Sequence, residues 1–288
     1  MQAGVNLEFA RSEGLGLDAA MANAAEAGYR YVEPYAYSRV CLPVNSHFVL
    51  ESVTPYNHVN VDEADAARLN RLRKDLGLQF SALDAHTALL LPQVGVPYVR
   101  RVIEFAAEVE APVVMSDEGP LPEQWMSLGQ GFDILCVSLE AILPYARSHG
   151  VRFALELHNA LTARPDMLHK LLARFGKDAL SVNFDTGNSF LAGNDPVDYL
   201  RGVAESVIHV HVKDIPAWQL PDRGKVTGTR VGVAAGDGVV DLPGVVGVLA
   251  AVGYQGVLSM ECDTLDQARR SLPYLRRLFA QGSPRGLP

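Results

Sequence analysis

The sequence predicts an α/β fold, a (β/α)8 barrel forming one domain over residues 1–288, and three observations carry that prediction. Short β-rich runs alternate with longer helical patterns along the whole chain. Eight strand–helix units fit into 288 residues, which favours closure into a barrel over an open doubly wound sheet. Acidic and histidine residues recur at the ends of the last four predicted strands, where barrel enzymes build their sites.

The elements follow in order. AGVNLEF near the start reads as a strand, LDAAMANAAEAG as a helix stopped by Gly28, and YRYVEPYA as the second strand. After a long polar segment, EADAARLNRLRKDLG is helical to Gly77 and LQFSALDAH is a strand. VPYVRRVIEFAAEVE reads as a helix, APVVMSDEG as a strand, FDILCVSLEAILPYARSHG as an amphipathic helix closed by Gly150, and VRFALELHN as the fifth strand. PDMLHKLLARFG opens on Pro165 and ends at Gly176, the expected asymmetry of helix termini. ALSVNFDTGN, SVIHVHVKD and YQGVLSMECD are the last three strands. DPVDYLRGVAE, LPGVVGVLAAVG and LDQARRSLPYLRRLFAQ are the helices that follow them. Three longer connections, Ser38–Asn60, Gly119–Gly131 and Ile215–Asp241, each follow a strand and belong on the catalytic face.

Bulk properties narrow the function. A net charge of -8 argues against nucleic acid or an anionic membrane as partner, since both need a basic surface. No apolar run reaches the ~20 residues of a membrane span, and the N-terminus lacks a signal-peptide pattern. Cys41, Cys136 and Cys262 show no paired spacing, which fits a reducing compartment, so a cytoplasmic protein is expected.

The informative residues are Glu156 in FALELH, Asp185 in NFDTGN, His211 in HVHVKD and Glu261 in LSMECD. Singly, a carboxylate at a strand end is a solvated or capping group, and a histidine in a β-run is an interior hydrogen-bonding residue. Four of them in one register on consecutive strands make a metal site. Side-chain alternation places His209 and His211 on the same face. His211 lies nearer the strand end, with His209 one layer deeper. The oxygen-rich set suits one divalent ion, Mn²⁺ first, with Mg²⁺ or Co²⁺ also accepted.

The strand-5 glutamate, D-T-G-N at 185–188, H-V-H-V-K-D at 209–214, the segment GDGVVDLPGVVGVLAAVGYQGVLSMEC and the closing helix resemble the xylose-isomerase-like TIM barrels. That family includes sugar epimerases, inosose dehydratases and endonuclease IV, and the resemblance covers nearly the whole chain. It implies that Glu156, Asp185, His211 and Glu261 hold the metal, and that Glu156 and Glu261 are also the catalytic acid/base pair. The expected function is a sugar isomerase or epimerase that abstracts a proton next to a carbonyl through a metal-bound enediolate. The alternative is a lyase that carries the same intermediate on to β-elimination, on a keto-inositol or 3-keto-glycoside. An abasic-site endonuclease and a non-catalytic sugar-binding barrel rank lower. Ketose 3-epimerases carry a histidine at the position of Asn188 and an arginine at that of Ala217, so this chain departs from them, and its H-V-K-D stands nearer the inosose dehydratases.

Glu33, His86, His158, Asn188 and Lys213 are the expected substrate contacts; Asp117 and Glu118 end the fourth strand and are expected to face the pocket, and Asn159 and Asp214 are further candidates to touch substrate or orient a ligand. Tyr35, Trp125 and Trp218 are expected to pack catalytic-face loops, and Arg223, Lys225 and Arg230 to form a solvated loop face. The expected partner is a small sugar or keto-sugar; barrels of this type often form homo-oligomers, although no interface signature stands out.

Overall fold

A computed structural model describes residues 1–38, 58–229 and 231–282. Eight parallel strands form its centre. They are β1 Gln2–Asn6, β2 Tyr31–Glu33, β3 in two pieces, Gln79–Phe80 and Leu83–Asp84, and β4 Val113–Ser116. The ring continues with β5 Arg152–Glu156, β6 Ser181–Asp185, β7 Val207–Val212 and β8 Val257–Met260. β1 pairs with β2 and with β8, and each later strand pairs with its predecessor. The broken β3 closes the ring. Its first piece pairs with β2 and its second with β4, while the Asp84 amide also reaches back to the Pro34 carbonyl at 3.1 Å. The fold is therefore a closed TIM barrel, as the alternation of elements predicts.

The outer ring comprises α1 Leu17–Glu26, α2 Ala66–Asp75, α3 Pro92–Glu108, α4 Leu128–Ser148, α5 Pro165–Phe175, α6 Pro196–Val203, α7 Leu242–Ala251 and α8 Leu265–Gly282. Their apolar faces bury one continuous core against the outside of the sheet, including Phe105, Phe153, Phe184 and Leu275. Inside the ring, Ala82, Val113, Met115 and Ala154 form a small separate apolar layer with Ile208 against it.

Three boundaries differ from expectation. The first strand stops at Asn6 rather than Phe9, because Asn6 Oδ1 accepts the Glu8 amide at 2.8 Å and turns the chain into a short helix, Phe9–Ser12. α4 begins four residues before Phe132, where Ser127 and Gln130 form a reciprocal capping box. D-T-G-N does not continue β6 either. Asp185 Oδ1 accepts the Asn188 amide at 2.8 Å and caps a helix, Thr186–Leu191. Most of the connection Ser38–Asn60, together with Cys41 and Arg230, lies outside the described residues.

Candidate active site and metal centre

The carboxyl ends of the strands carry a dense polar cluster. Glu33, Asp84, Asp117, Asp185 and His211 are all 0% exposed, and Glu156, Lys213 and Glu261 no more than 5%. Strand alternation puts them there, since residues two apart on a barrel strand share the inner face.

Glu156, Asp185 and His211 each offer one ligand atom, all within 4.8 Å of one another. His211 Nδ1 lies 3.5 Å from Glu156 Oε1, 3.9 Å from Asp185 Oδ2 and 3.3 Å from Glu261 Oε2. His211 Nδ1, Asp185 Oδ2 and Glu261 Oε2 are all buried, and none makes a hydrogen bond. Buried polar atoms are almost always satisfied, so His211 Nδ1 with the Glu156 and Asp185 oxygens beside it fits a divalent cation, and Glu261 Oε2 approaches the group at His211. Asp185 serves two purposes at once, capping the helix with Oδ1 and leaving Oδ2 for a ligand bond. The second oxygen of Glu261 is taken by the Lys213 ammonium at 2.7 Å, which also stands 3.4 Å from Asp185 Oδ2.

Around this centre the expected contacts take distinct places. His86 bridges Asp84, 3.0 Å from Nδ1, and Glu156, 3.2 Å from Nε2. His158 pairs through Nδ1 with Asp117 Oδ2 at 2.8 Å, and its side chain keeps a quarter of its surface exposed. Asn188 presents Oδ1 to Lys213 Nζ at 3.4 Å, and Lys213 reaches the Thr229 carbonyl at 3.0 Å. Glu33 is placed differently from a pocket wall: its Oε1 meets His211 Nε2 at 2.7 Å, beneath the ligand cluster.

Other neighbours need correction. Glu118 turns from the pocket to the loop after β5, where it takes the Leu161 and Thr162 amides and the Thr162 hydroxyl. Asp214 binds four backbone amides of its own loop. Trp125 and Trp218 do not pack the loops; they are 82% and 67% exposed. Arg223 stacks on Phe190 and donates to its carbonyl, a structural post rather than a free cation. Sequence reading missed Glu8, whose Oε2 accepts the Tyr35 hydroxyl at 3.4 Å, Asp84, which pairs with His86, and Asn183, whose amide donates to Glu156 Oε2 at 3.1 Å. Asp84 ends β3 and was legible from L-D-A-H, whereas Glu8 lies beyond a strand end that the sequence places too late.

The electrostatics follow from burial and from neighbours. Burial favours the neutral form of Glu156, but His211 and His86 overcome it and hold its carboxyl well below the ordinary range. Burial dominates at Glu261 and raises it well above that range, despite Lys213 and His211 beside it. The same effect, with His86 only partly opposing, lifts Asp84 to about 8.

A family model for the xylose isomerase-like TIM barrel matches residues 21–278. This chain belongs to that family. Among relatives of this family barrel, an inosose dehydratase of Mesomycoplasma hyopneumoniae is 24% identical over 283 residues, 92% of this chain and 90% of that protein. An uncharacterised protein of Methanocaldococcus jannaschii is 27% identical over 185 residues, 62% of this chain but 60% of its own length. Two solved barrels share the fold. A D-tagatose 3-epimerase-like protein superposes with a TM-score of 0.75 at 21% identity, covering 98% of each chain. An IOLI protein with a bound zinc atom superposes with 0.75 at 13% identity, covering 98% of this xylose isomerase-like chain and 99% of its own. Among the described residues no helix is long and apolar enough to cross a membrane.

Proposed function

We propose that this chain is a metal-dependent enzyme, one catalytic domain of the cytoplasm, that removes the proton next to a carbonyl of a small sugar-like substrate. The observation that carries the reading is the grouping of Glu156, Asp185 and His211 within 4.8 Å of one another at the carboxyl end of the barrel, with Glu261 Oε2 3.3 Å from His211 Nδ1. Those four residues would hold one divalent ion, Mn²⁺ first, which supplies Lewis-acid polarisation of the substrate oxygens and makes the adjacent C–H acidic.

The chain's own groups do the rest. Glu156 and Glu261 arrive from strands on either side of β7, so one can take a proton and the other return it. Lys213 steadies Glu261 and brings a positive charge to the developing oxyanion. His86 and Asn188 supply further polar contacts for hydroxyl groups. Proton removal and return at one carbon is epimerisation.

A second outcome, β-elimination on a keto-inositol or 3-keto-glycoside, is favoured by the His158–Asp117 pair. A carboxylate that fixes Nδ1 leaves Nε2 to protonate a departing hydroxyl or alkoxide. The inosose dehydratase relative points the same way. Proton NMR in D₂O with Mn²⁺ separates the outcomes. Epimerisation places deuterium on a substrate carbon with no group lost, and elimination releases water or an aglycone. Glu156→Gln and Glu261→Gln are each expected to slow either signal by at least about 100-fold. Undiminished turnover in both variants would remove the acid/base assignment.

A further inference from the structure

Glu33 ends β2 fully buried, and its carboxylate faces two histidines of β7. Oε1 lies 2.7 Å from His211 Nε2. Oε2, which makes no hydrogen bond, lies 3.7 Å from His209 Nε2. His209 is held from its other side, Nδ1 pairing with Asn183 Oδ1 at 3.1 Å, while the Asn183 amide donates to Glu156 Oε2 at 3.1 Å. Glu156 and His211, from different strands, therefore rest on one buried layer made of Asn183, His209 and Glu33.

We propose that Glu33 is a positioning residue for the metal centre. By accepting the Nε2 proton of His211, it fixes the ring so that Nδ1 binds the ion. The inference rests on the metal reading given above and deepens it. Which imidazole nitrogen binds a metal is set by the hydrogen bond that the other one makes. Here Nε2 faces Glu33, and Nδ1 faces Glu156, Asp185 and Glu261. The charge of Glu33 acts in the same direction. A buried anion beside the ring favours a cation held at its other nitrogen.

The test uses the full chain, stripped of metal and titrated calorimetrically with Mn²⁺ and with Zn²⁺ at pH 8. Glu33→Gln keeps the side-chain shape and an acceptor oxygen but removes the charge. Its affinity for either ion is expected to fall by about 10-fold or more. A crystal structure of the zinc-loaded wild type is expected to show the ion against His211 Nδ1. A merely structural role would lower the unfolding midpoint of Glu33→Gln and leave the affinity of the folded variant unchanged, and that result overturns the proposal. An ion bound through Nε2 overturns it as well, and that observation needs no variant to fold. A wild type that binds neither ion would instead bring down the metal reading itself, and this inference with it.

Discussion

His209 loses nearly all its hydration in the folded chain, being 1% exposed, and among the described residues it pairs through Nδ1 with Asn183 Oδ1. Burial pushes its pKa down to about 4, with Glu33 pulling partly the other way. The unfolded chain binds this proton near pH 6.5, so between about 6.5 and 4 the unfolded state carries more protons than the native one. Stability therefore rises with pH across that window and is lost on acidification, by on the order of 3 kcal/mol from this residue alone. Urea unfolding of wild type and His209→Asn at pH 7 and at pH 4.5 isolates the effect. The variant starts from a lower baseline but should lose less on acidification. Equal losses in the two proteins would show that His209 is not the buried neutral group described here.

At the scale of elements, the loop after β7 is held by one carboxylate. Asp214 accepts the amides of Ile215 at 3.0 Å, Gly236 at 2.8 Å, Gly238 at 3.0 Å and Val240 at 3.1 Å. Gly238 is required there, because a Cβ would sit 2.2 Å from Asp214 Oδ1. Replacing Asp214 with alanine strands those donors and should cost about 2 kcal/mol or more. Hydrogen exchange should show the loss of protection confined to residues 236–240 and their neighbours, with the barrel strands protected as before. Uniform deprotection would make Asp214 a global support rather than a loop clamp.

The same scale shows what the sequence disclosed. Period-two patterning and the position of each acidic residue at a strand end were enough to anticipate that Glu156, Asp185 and His211 approach one another and that Glu261 stands beside His211, because a barrel turns equal register into proximity. The partnership of Glu33 with His211 was not legible. It joins residues 178 positions apart, across the barrel from β2 to β7, and no local spacing encodes which inner faces meet. The helix at Thr186–Leu191 was legible in principle, since Asp185 is a favourable N-cap. Gly187 disguised it, a glycine needed because a Cβ would come within 2.7 Å of Lys213 Cγ.

For the whole molecule, the acidic centre makes stability depend on the ion. Glu33, Glu156, Asp185 and Glu261 bring four carboxylates to one buried place, countered among the described residues by Lys213 and the neighbouring imidazoles. A ligand that binds only the native state stabilises it by RT ln(1 + [L]/Kd), about 2.7 kcal/mol at a hundred times Kd. For a chain of this size that corresponds to a rise of roughly 4 to 5 °C in the unfolding midpoint. Scanning calorimetry with excess Mn²⁺, and again after EDTA, should show the rise and its reversal. The rise should shrink as pH falls from 8 to 6. His211 is held well above the ordinary histidine range, where burial is outweighed by Glu33 and Glu156, so its proton competes increasingly with the ion. Glu156→Gln should diminish the rise as well, since it removes a ligand charge. A midpoint indifferent to both metal and chelator would mean that this convergence of carboxylates serves a barrel that functions without an ion.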